Sequence, residues 1–466
     1  MNIITINSNS FLSGTSLSDF YSNGGFSPNS VGFEVDRGSN LGVLLPGRSL
    51  TNYSTSGTTL SGNVLTSIND GNNGVYYLAT STGNIYQSVL YPVSHTLKDS
   101  TIGTPSHSYI YKGFLFITTS TDIYYTDTGF TVKNKTWWTG TQGKTALTSG
   151  VPHKIIEFQG VMYITNGNKL ASWDGSTSVN AALTLPTGWI ITDAIVDNDT
   201  IYMAASFLST NNDYAPKTKI FGWNTFTPAT WQKEVDVFTG VITAMIKADV
   251  TGQRRSVILL FSGTGLYLLS EYYGTFTCNW IRNFNHLPNF NGVAIANGNV
   301  YFANNGHGIA SYNTHFNTLT YPVYYASTID AINIGYLDYI DIFTDAANMY
   351  RADLNGSANT PNATFYSNRY DLQNGKIRQI IIGFNAPLPT GSTYTLSIVD
   401  ETGATAYSEV ISNSNKGSVS VVVISNIAHA YPINIAQLKL AFNNSANVGI
   451  NFIKIFFEPS EMYVNR

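Results

Sequence analysis

The chain has 466 residues, of which 43% are hydrophobic and only 11% charged, and its net charge is −4. That length can bury a large core without metal or disulfide staples and is comfortable for two domains. Aromatics at 13%, 40 Gly and abundant Ser, Thr and Asn favour strands and turns, and they exclude coiled coils and long exposed helices, which need Glu, Lys, Ala and Leu in quantity.

A general affinity for nucleic acid needs clustered Lys and Arg to displace counterions. The densest basic spots, Arg254–Arg255 and Lys376–Arg378, are too short for such a footprint, so no sequence-specific nucleic-acid partner is expected. The single cysteine, Cys278, sits in Phe-Thr-Cys-Asn-Trp and reads as a buried strand residue. The opening MNIITINSNSFLSG has neither a basic nor an apolar region of a signal peptide. The longest apolar runs, such as Val257–Phe261, fall far short of a membrane span.

Residues 1–30 are rich in Ser, Asn and Gly and read as an N-terminal arm. From residue 31 short apolar strands alternate with clusters of Gly, Asn, Asp, Ser and Thr. The nearest approach to a helix is Thr328–Tyr336, expected to form one or two turns. A loose repeat runs through this region. Its units begin at Gly74, Gly113, Gly160, Asp199, Val257 and Gly298. Each has a turn residue, an apolar strand, a small-polar turn and a second strand, which is the grammar of a β-hairpin. The anchors Tyr77, Phe116, Tyr163, Tyr202, Leu260 and Tyr301 are spaced 39, 47, 39, 58 and 41 residues apart. A period near forty matches one four-stranded propeller blade. One blade cannot bury both its faces alone, but stacked around an axis each covers its neighbour. Segments 31–60 and 320–355 are expected to pair and close a ring of six or seven blades, with seven preferred.

The stretch 353–362 is linker-like. Beyond it, seven strands are expected at Thr364–Asp371, Arg378–Phe384, Tyr394–Val399, Ala406–Ile411, Val419–Val423, Leu438–Phe442 and Ile450–Phe457. Ile377, Gln379 and Ile381 are expected to oppose Arg378 and Ile380. This pattern reads as a β-sandwich of jelly-roll or immunoglobulin-like size. The expected organisation is therefore all-β: an arm at 1–30, a propeller at 31–355 and a sandwich at 356–466.

Candidate chemistry is sparse. The acid groups Glu34/Asp36, Asp193/Asp197/Asp199 and Glu234/Asp236 would serve a glycoside hydrolase only if two carboxylates converged at the axis. Asp197-Asn-Asp199 reads as a hairpin turn. The histidines His95, His107, His153, His286, His307, His315 and His429 lack metal spacing, apart from an eight-residue step between His307 and His315. Gly263-Thr-Gly265 and Gly306-His-Gly308 are turn glycines rather than phosphate cradles. No cofactor is expected. The aromatics Trp137, Trp138, Tyr272 and Tyr273 fall near blade loops and, if exposed, suit sugar stacking or subunit contacts, with packing between blades as the competing reading.

Two stretches carry a resemblance. Val31–Gly47 (VGFEVDRGSNLGVLLPG) is similar to the opening of β-propeller virion proteins of tailed bacteriophages, with an arginine, a glycine and then Pro-Gly before the first blade. It departs from that pattern at Leu45, where an arginine is common. Thr364–Leu372, followed by Lys376–Ile380 and Pro387–Thr393, resembles the start of the sandwich that follows the propeller in the same proteins. The resemblance implies a structural virion component of the tail or head–tail region. Such a component would assemble as a homo-oligomeric ring with other virion proteins and would not be an enzyme. The alternatives are a propeller that binds a surface glycan or receptor and, behind it, a glycoside hydrolase.

Overall fold

A computed structural model describes residues 1–7, 33–35, 44–70, 74–90, 93–207, 217–227, 230–237, 240–249, 256–263, 265–272, 275–284, 286–296, 298–314, 318–334, 339–354, 363–428, 432–443 and 448–460. Most of the expected arm lies outside these residues. The chain divides into two units. One comprises Met1–Leu50, His307–Ala326 and Ala352–Arg466, and the other Thr51–Gly306 and Ser327–Arg351.

The chain opens with β1 (Asn2–Ile6), β2 (Phe33–Val35), β3 (Leu44–Pro46) and β4 (Thr51–Asn52). Seven four-stranded blades follow. The first is β5 (Val64–Asp70), β6 (Val75–Thr80), β7 (Ile85–Leu90) and β8 (Val93–Asp99). The second is β9 (Pro105–Tyr111), β10 (Phe114–Thr119), β11 (Ile123–Asp127) and β12 (Lys133–Asn134). The third is β13 (Ile155–Phe158), β14 (Val161–Asn166), β15 (Lys169–Trp173) and β16 (Ser178–Thr184). The fourth is β17 (Trp189–Asp197), β18 (Thr200–Phe207), β19 (Lys217–Trp223) and β20 (Lys233–Val237). The fifth is β21 (Ile242–Asp249), β22 (Ser256–Ser262), β23 (Gly265–Tyr272) and β24 (Thr275–Arg282). The sixth is β25 (Val293–Ala296), β26 (Asn299–Asn304), β27 (Gly308–Asn313) and β28 (Thr318–Val323). The seventh is β29 (Ile329–Ile334), β30 (Tyr339–Thr344) and β31 (Met349–Asp353), completed by β4. The six sequence anchors fall on β6, β10, β14, β18, β22 and β26, the second strand of each of the first six blades. These strands are continuous apolar runs, such as FLFITT and NVYFAN, buried at all but the first residue. Both their faces meet protein, so the alternation of a half-exposed strand is absent.

Within the expected helical turn at Thr328–Tyr336, Ile329–Ile334 is instead the innermost strand of the seventh blade, and residues 335–336 lie outside the described residues. A register shift between Ile329 and Ala331 breaks its alternation and puts Ile329 and Ile332 three apart, which mimics helical spacing.

Ring closure comes from the segment after β3. Asn52 pairs with Tyr350 and Thr51 with Arg351 of the seventh blade. Tyr53 N–H then donates to Met349 O at 2.9 Å. A few residues on, the same segment grips the first blade: His95 N–H donates to Ser56 O, and Thr58 N–H donates to His95 O, each at 2.8 Å. Gly57 lies between them at φ +76°, where a Cβ would stand 2.5 Å from His95 O, so glycine is required there. Beside this clasp the buried Arg351 guanidinium donates to both carboxylate oxygens of Asp341, at 2.7 and 2.9 Å. Burial pushes the Asp341 carboxyl above its usual range, against the pull of Arg351.

The C-terminal strands are β32 (Ala363–Phe384), β33 (Thr393–Val399), β34 (Thr405–Ser412), β35 (Val421–Ser425), β36 (Ile433–Asn443) and β37 (Ile450–Glu458). β32 is 22 residues long and belongs to two sheets. Its first half pairs with β36, which continues to β33 and β34. Its second half pairs with β37 and β35, and β1 adds to the far side of β37. Gln373 and Asn374 turn the corner at φ +54° and +56°. A Cβ on the following Gly375 would meet Leu372 O at 2.5 Å. The two sheets enclose a core that includes Phe365, Ile380, Ile382, Tyr394, Leu440 and Ile453. A second register shift, between Ile377 and Gln379, corrects the expected alternation: Ile377, Ile380 and Ile382 all point inward. β1, expected as part of a separate arm, contributes Ile6 to this core.

Removing one member of the buried ion pair leaves the other charged and unsolvated. Asp341→Ala is expected to destabilise the propeller by about 3–5 kcal/mol, while replacing both Asp341 and Arg351 by apolar residues of similar volume costs far less. Urea unfolding of the two variants against the native chain checks this.

Candidate functional site: the axis of the propeller

The inner strands β5, β9, β13, β17, β21, β25 and β29 stand side by side around the axis. Several share one irregularity near their start. Register shifts skip Leu65, Thr192, Thr243 and Asp330, and on β9 the pairing passes over Ser106. Such a bulge leaves backbone N–H groups without ladder partners. The residue after the bulge answers them, across to the next blade. Thr66 Oγ1 accepts from Ser108 N–H at 3.0 Å. His107 Nδ1 accepts from Ile155 N–H at 3.3 Å. Lys154, one step before β13, fills the same level. It cannot accept and instead donates to Asp193 Oδ1 at 2.6 Å. Asp193 Oδ2 then accepts from Met245 N–H, and its Oδ1 also accepts from Ala194 N–H at 2.6 Å. A row of side chains thus stitches the first five blades.

The 3-10 turn Phe290–Gly292, just before β25, lies against this row. The Asn289 side chain caps it, accepting from Asn291 N–H at 2.8 Å and Gly292 N–H at 3.0 Å. Asn289 Nδ2 donates to Asp330 O on the seventh blade at 3.2 Å. Asn291 Nδ2 donates to Ser106 O on the second at 2.7 Å. The Phe290 ring meets the His107 ring edge-on, with centroids 5.6 Å apart, and Lys154 Nζ stands 5.7 Å from the Phe290 centroid. Leading into the sixth blade and tied to the seventh and the second, the turn lies across this end of the axis.

The electrostatics follow from enclosure. Burial, with the charge of Lys154 beside it, holds His107 down at about 3. Its neutral ring accepts at Nδ1, which assigns the proton to Nε2. Burial also lowers His95, which bonds Ser88 Oγ at 2.6 Å and Tyr53 O at 3.0 Å, and His153, whose ring faces Thr165 O and Thr148 O. Burial raises Asp193, but Lys154 and two backbone N–H groups saturate its carboxylate.

The remaining acids do not converge here. Asp197 bonds Lys247 at 2.9 Å, and Asp199 follows Asn198 (φ +49°) in the β17–β18 turn. Glu234 and Asp236 both surround Lys219 on the outer strands of the fourth blade. The Glu34 side chain and Asp36 lie outside the described residues, as do His315, His429 and Arg254–Arg255. Cys278, expected to be buried, is half-buried in β24 against the same cluster as Phe276 and Val235, and that burial pushes its thiol up. Among the described residues no group of three His, Cys, Asp or Glu side chains could hold a metal ion. No helix among them is long and apolar enough to cross a membrane.

The expected exposure of Trp137 and Trp138 is corrected: they are 3% and 1% exposed. They form a π-helical turn whose Trp138 and Thr139 N–H groups donate to Asp122 Oδ1, at 3.0 and 3.3 Å. Trp137 packs against Phe116 and Trp173 in the wedge between the second and third blades. Tyr272 ends β23. Its side chain and Tyr273 lie outside the described residues. The sequence reading passed over Lys154 and the Asn289–Gly292 turn. The only local signal was an Asn three residues before a Gly, a cap pattern that says nothing about an axis.

No protein-family profile matches the chain, and no curated protein does. Among solved structures, the computationally designed protein Ika8 is similar over 63% of this chain and 96% of its own, at 8% identity and a TM-score of 0.40. A chain of a mitotic checkpoint complex is similar over 66% of this chain and 93% of its own, at 10% identity and a TM-score of 0.45.

Two predictions follow from the burial. His107 binds its proton only near pH 3 when folded but near 6.5 when unfolded. Its contribution is therefore complete above pH 6.5 and lost as pH falls toward 3, with a slope of up to about 1.4 kcal/mol per pH unit. His107→Gln keeps an acceptor for Ile155 but does not titrate, so its thermal midpoint should fall less steeply between pH 6.5 and 4. Trp138→Ala should cost about 3–5 kcal/mol, read as a lowered unfolding midpoint.

Proposed function

We propose that this chain is a structural component of a tailed-bacteriophage particle, in the tail or head–tail region. It would act by ring-like self-assembly and contacts with other virion proteins, without catalysis. The resemblance of Val31–Gly47 and Thr364–Leu372 suggests the setting. The observation that supports the non-catalytic reading is the covered end of the axis: Phe290 and Asn291 lie across it, and the carboxylate in the row of stitching side chains, Asp193, is held by Lys154 and two backbone amides. With this end of the axis covered, the reading looks to the outer surfaces for partner contacts. The low charge of 11% suits wide, partly polar interfaces.

A glycan- or receptor-binding reading finds a different place from the one the sequence suggested. On the fourth blade, half-exposed Trp231 donates from Nε1 to Glu234 at 3.1 Å, Lys219 lies over Trp189, and Phe226 is 74% exposed. Aromatic faces beside a carboxylate suit a sugar.

Electron microscopy with two-dimensional classification, alongside light scattering, separates the two. Closed oligomers of several copies are expected at micromolar concentration. A chain that stays monomeric and binds a glycan array, with binding lost in Trp231→Ala, would replace the assembly reading.

A further inference from the structure

The sheet β1–β37–β32–β35 has two open edges. Among the described residues β1 pairs only with β37, and β35 only with β32. Open edges invite pairing, and proteins usually guard them with charge, proline or a covering segment. At several other edges this chain does so. The outer strands β8, β12 and β20 carry Lys98, Lys133 and Lys233 with Glu234, and the edge strand β34 carries Glu409 paired with Lys416, whereas the one charge on β24, Arg282, is buried. β16 has no charge, but Asn180 on it holds Thr145 through two hydrogen bonds. β1 (NIITI) and β35 (VVVIS) have no charge and no proline. Each is five residues long.

The solvent face between these edges is rich in apolar side chains, with Lys454, Gln379 and Ser425 among them. Across the strands Ile3 pairs with Phe456, Ile381 with Lys454 and Val423, and Gly383 with Phe452 and Val421. Ile3, Val421 and Val423 are 56%, 48% and 48% exposed. In an antiparallel sheet with one face on a core, the other is ordinarily polar.

We infer that β35 of one copy pairs with β1 of the next, extending this sheet from copy to copy. The inference rests on the assembly reading and names its contact. The occupant is a second copy of this chain, because each copy then supplies both edges in equal number. Pairing β35 with itself would leave every β1 edge open. A head-to-tail contact of unlike edges repeats, and it closes into a ring when its rotation allows. The apolar rows on the two outer faces then run on across the junction.

The test uses Ile3→Lys and Val423→Lys, at exposed positions outside the core, each checked for native circular dichroism. Val421→Lys replaces Val423→Lys if the latter misfolds. Each variant alone should be monomeric by mass photometry. Their mixture should form a one-to-one dimer and stop, because one keeps a working β35 and the other a working β1. Val179→Lys on β16 should oligomerise like the native chain. If Ile3→Lys alone dimerises and the mixture gains nothing, β35 pairs with itself and the inference is overturned. If the native chain assembles and both variants assemble with it, the contact lies elsewhere, and only the inference falls. A native chain that never assembles overturns the inference and the assembly reading together.

Discussion

The fold depends on closing the ring. A propeller blade has two apolar faces and can hide them only between neighbours, so a ring with a gap exposes two blade faces at once. Here the gap is closed by a few residues between β4 and Thr58, which hydrogen-bond to the seventh blade on one side and the first on the other. Ser54 reinforces the clasp: its Oγ accepts from Met349 N–H at 2.9 Å. The Arg351 guanidinium lies 5.0 Å from the Tyr339 ring centroid and 5.8 Å from that of Tyr53, with Asp341 in its fork. A buried pair of this kind contributes little net stability relative to apolar packing, but its geometry penalises any other register of β31.

The axis obeys the same constraint from inside. Bulges re-aim the inner strands and leave amides that need acceptors. Each acceptor comes from the preceding blade, so satisfying them also fixes neighbouring blades to one another. The nature of the acceptor then matters. Threonine, neutral histidine and aspartate can all serve; lysine cannot, and at the third blade the polarity of the stitch reverses, with Lys154 donating to Asp193. Asp193 can accept from Lys154, Ala194 and Met245 together because a carboxylate has about four lone-pair sites. His107, Lys154 and Asp193, which might suggest an acid–base centre in a list of residues, are thus committed to one another and to the backbone.

The repeat was legible because the second strand of each blade is buried on both faces. That forces a continuous apolar run bounded by turn residues, a pattern that survives insertions of different length. The seventh blade was less legible for two reasons. β29 carries a bulge that imitates helical spacing, and the fourth strand, β4, lies nearly three hundred residues upstream of β31. The sandwich strands were found, but the corner in β32 was not: a strand that changes sheets keeps its composition while its inward face shifts. The candidate site was the least legible. Burial of Trp137 and Trp138 depends on Asp122, fifteen residues earlier, accepting from their turn, and nothing local to the Trp-Trp pair marks that. Likewise, His107, Lys154 and Asp193 share a level only because their strands begin at matching heights around the ring.

A chain with 11% charged residues has few to spend, and their placement is informative. Some are consumed inside, where Lys154, Asp193, Asp341 and Arg351 fix blade against blade or strand against strand. Others stand on the outer strands of blades, where a charge facing water opposes the addition of a further strand. The sandwich has polar and charged groups too, such as Arg378 and Glu458, which pair at 2.7 Å at one end of the β32–β37 ladder. Among the described residues the edge strands β1 and β35 carry no charge, whereas the edge strand β34 carries Glu409. Composition alone predicts scarcity of charge everywhere. Geometry shows instead that the scarcity is uneven, and that among the described residues β1 and β35 combine the lack of charge with an edge that no other strand pairs.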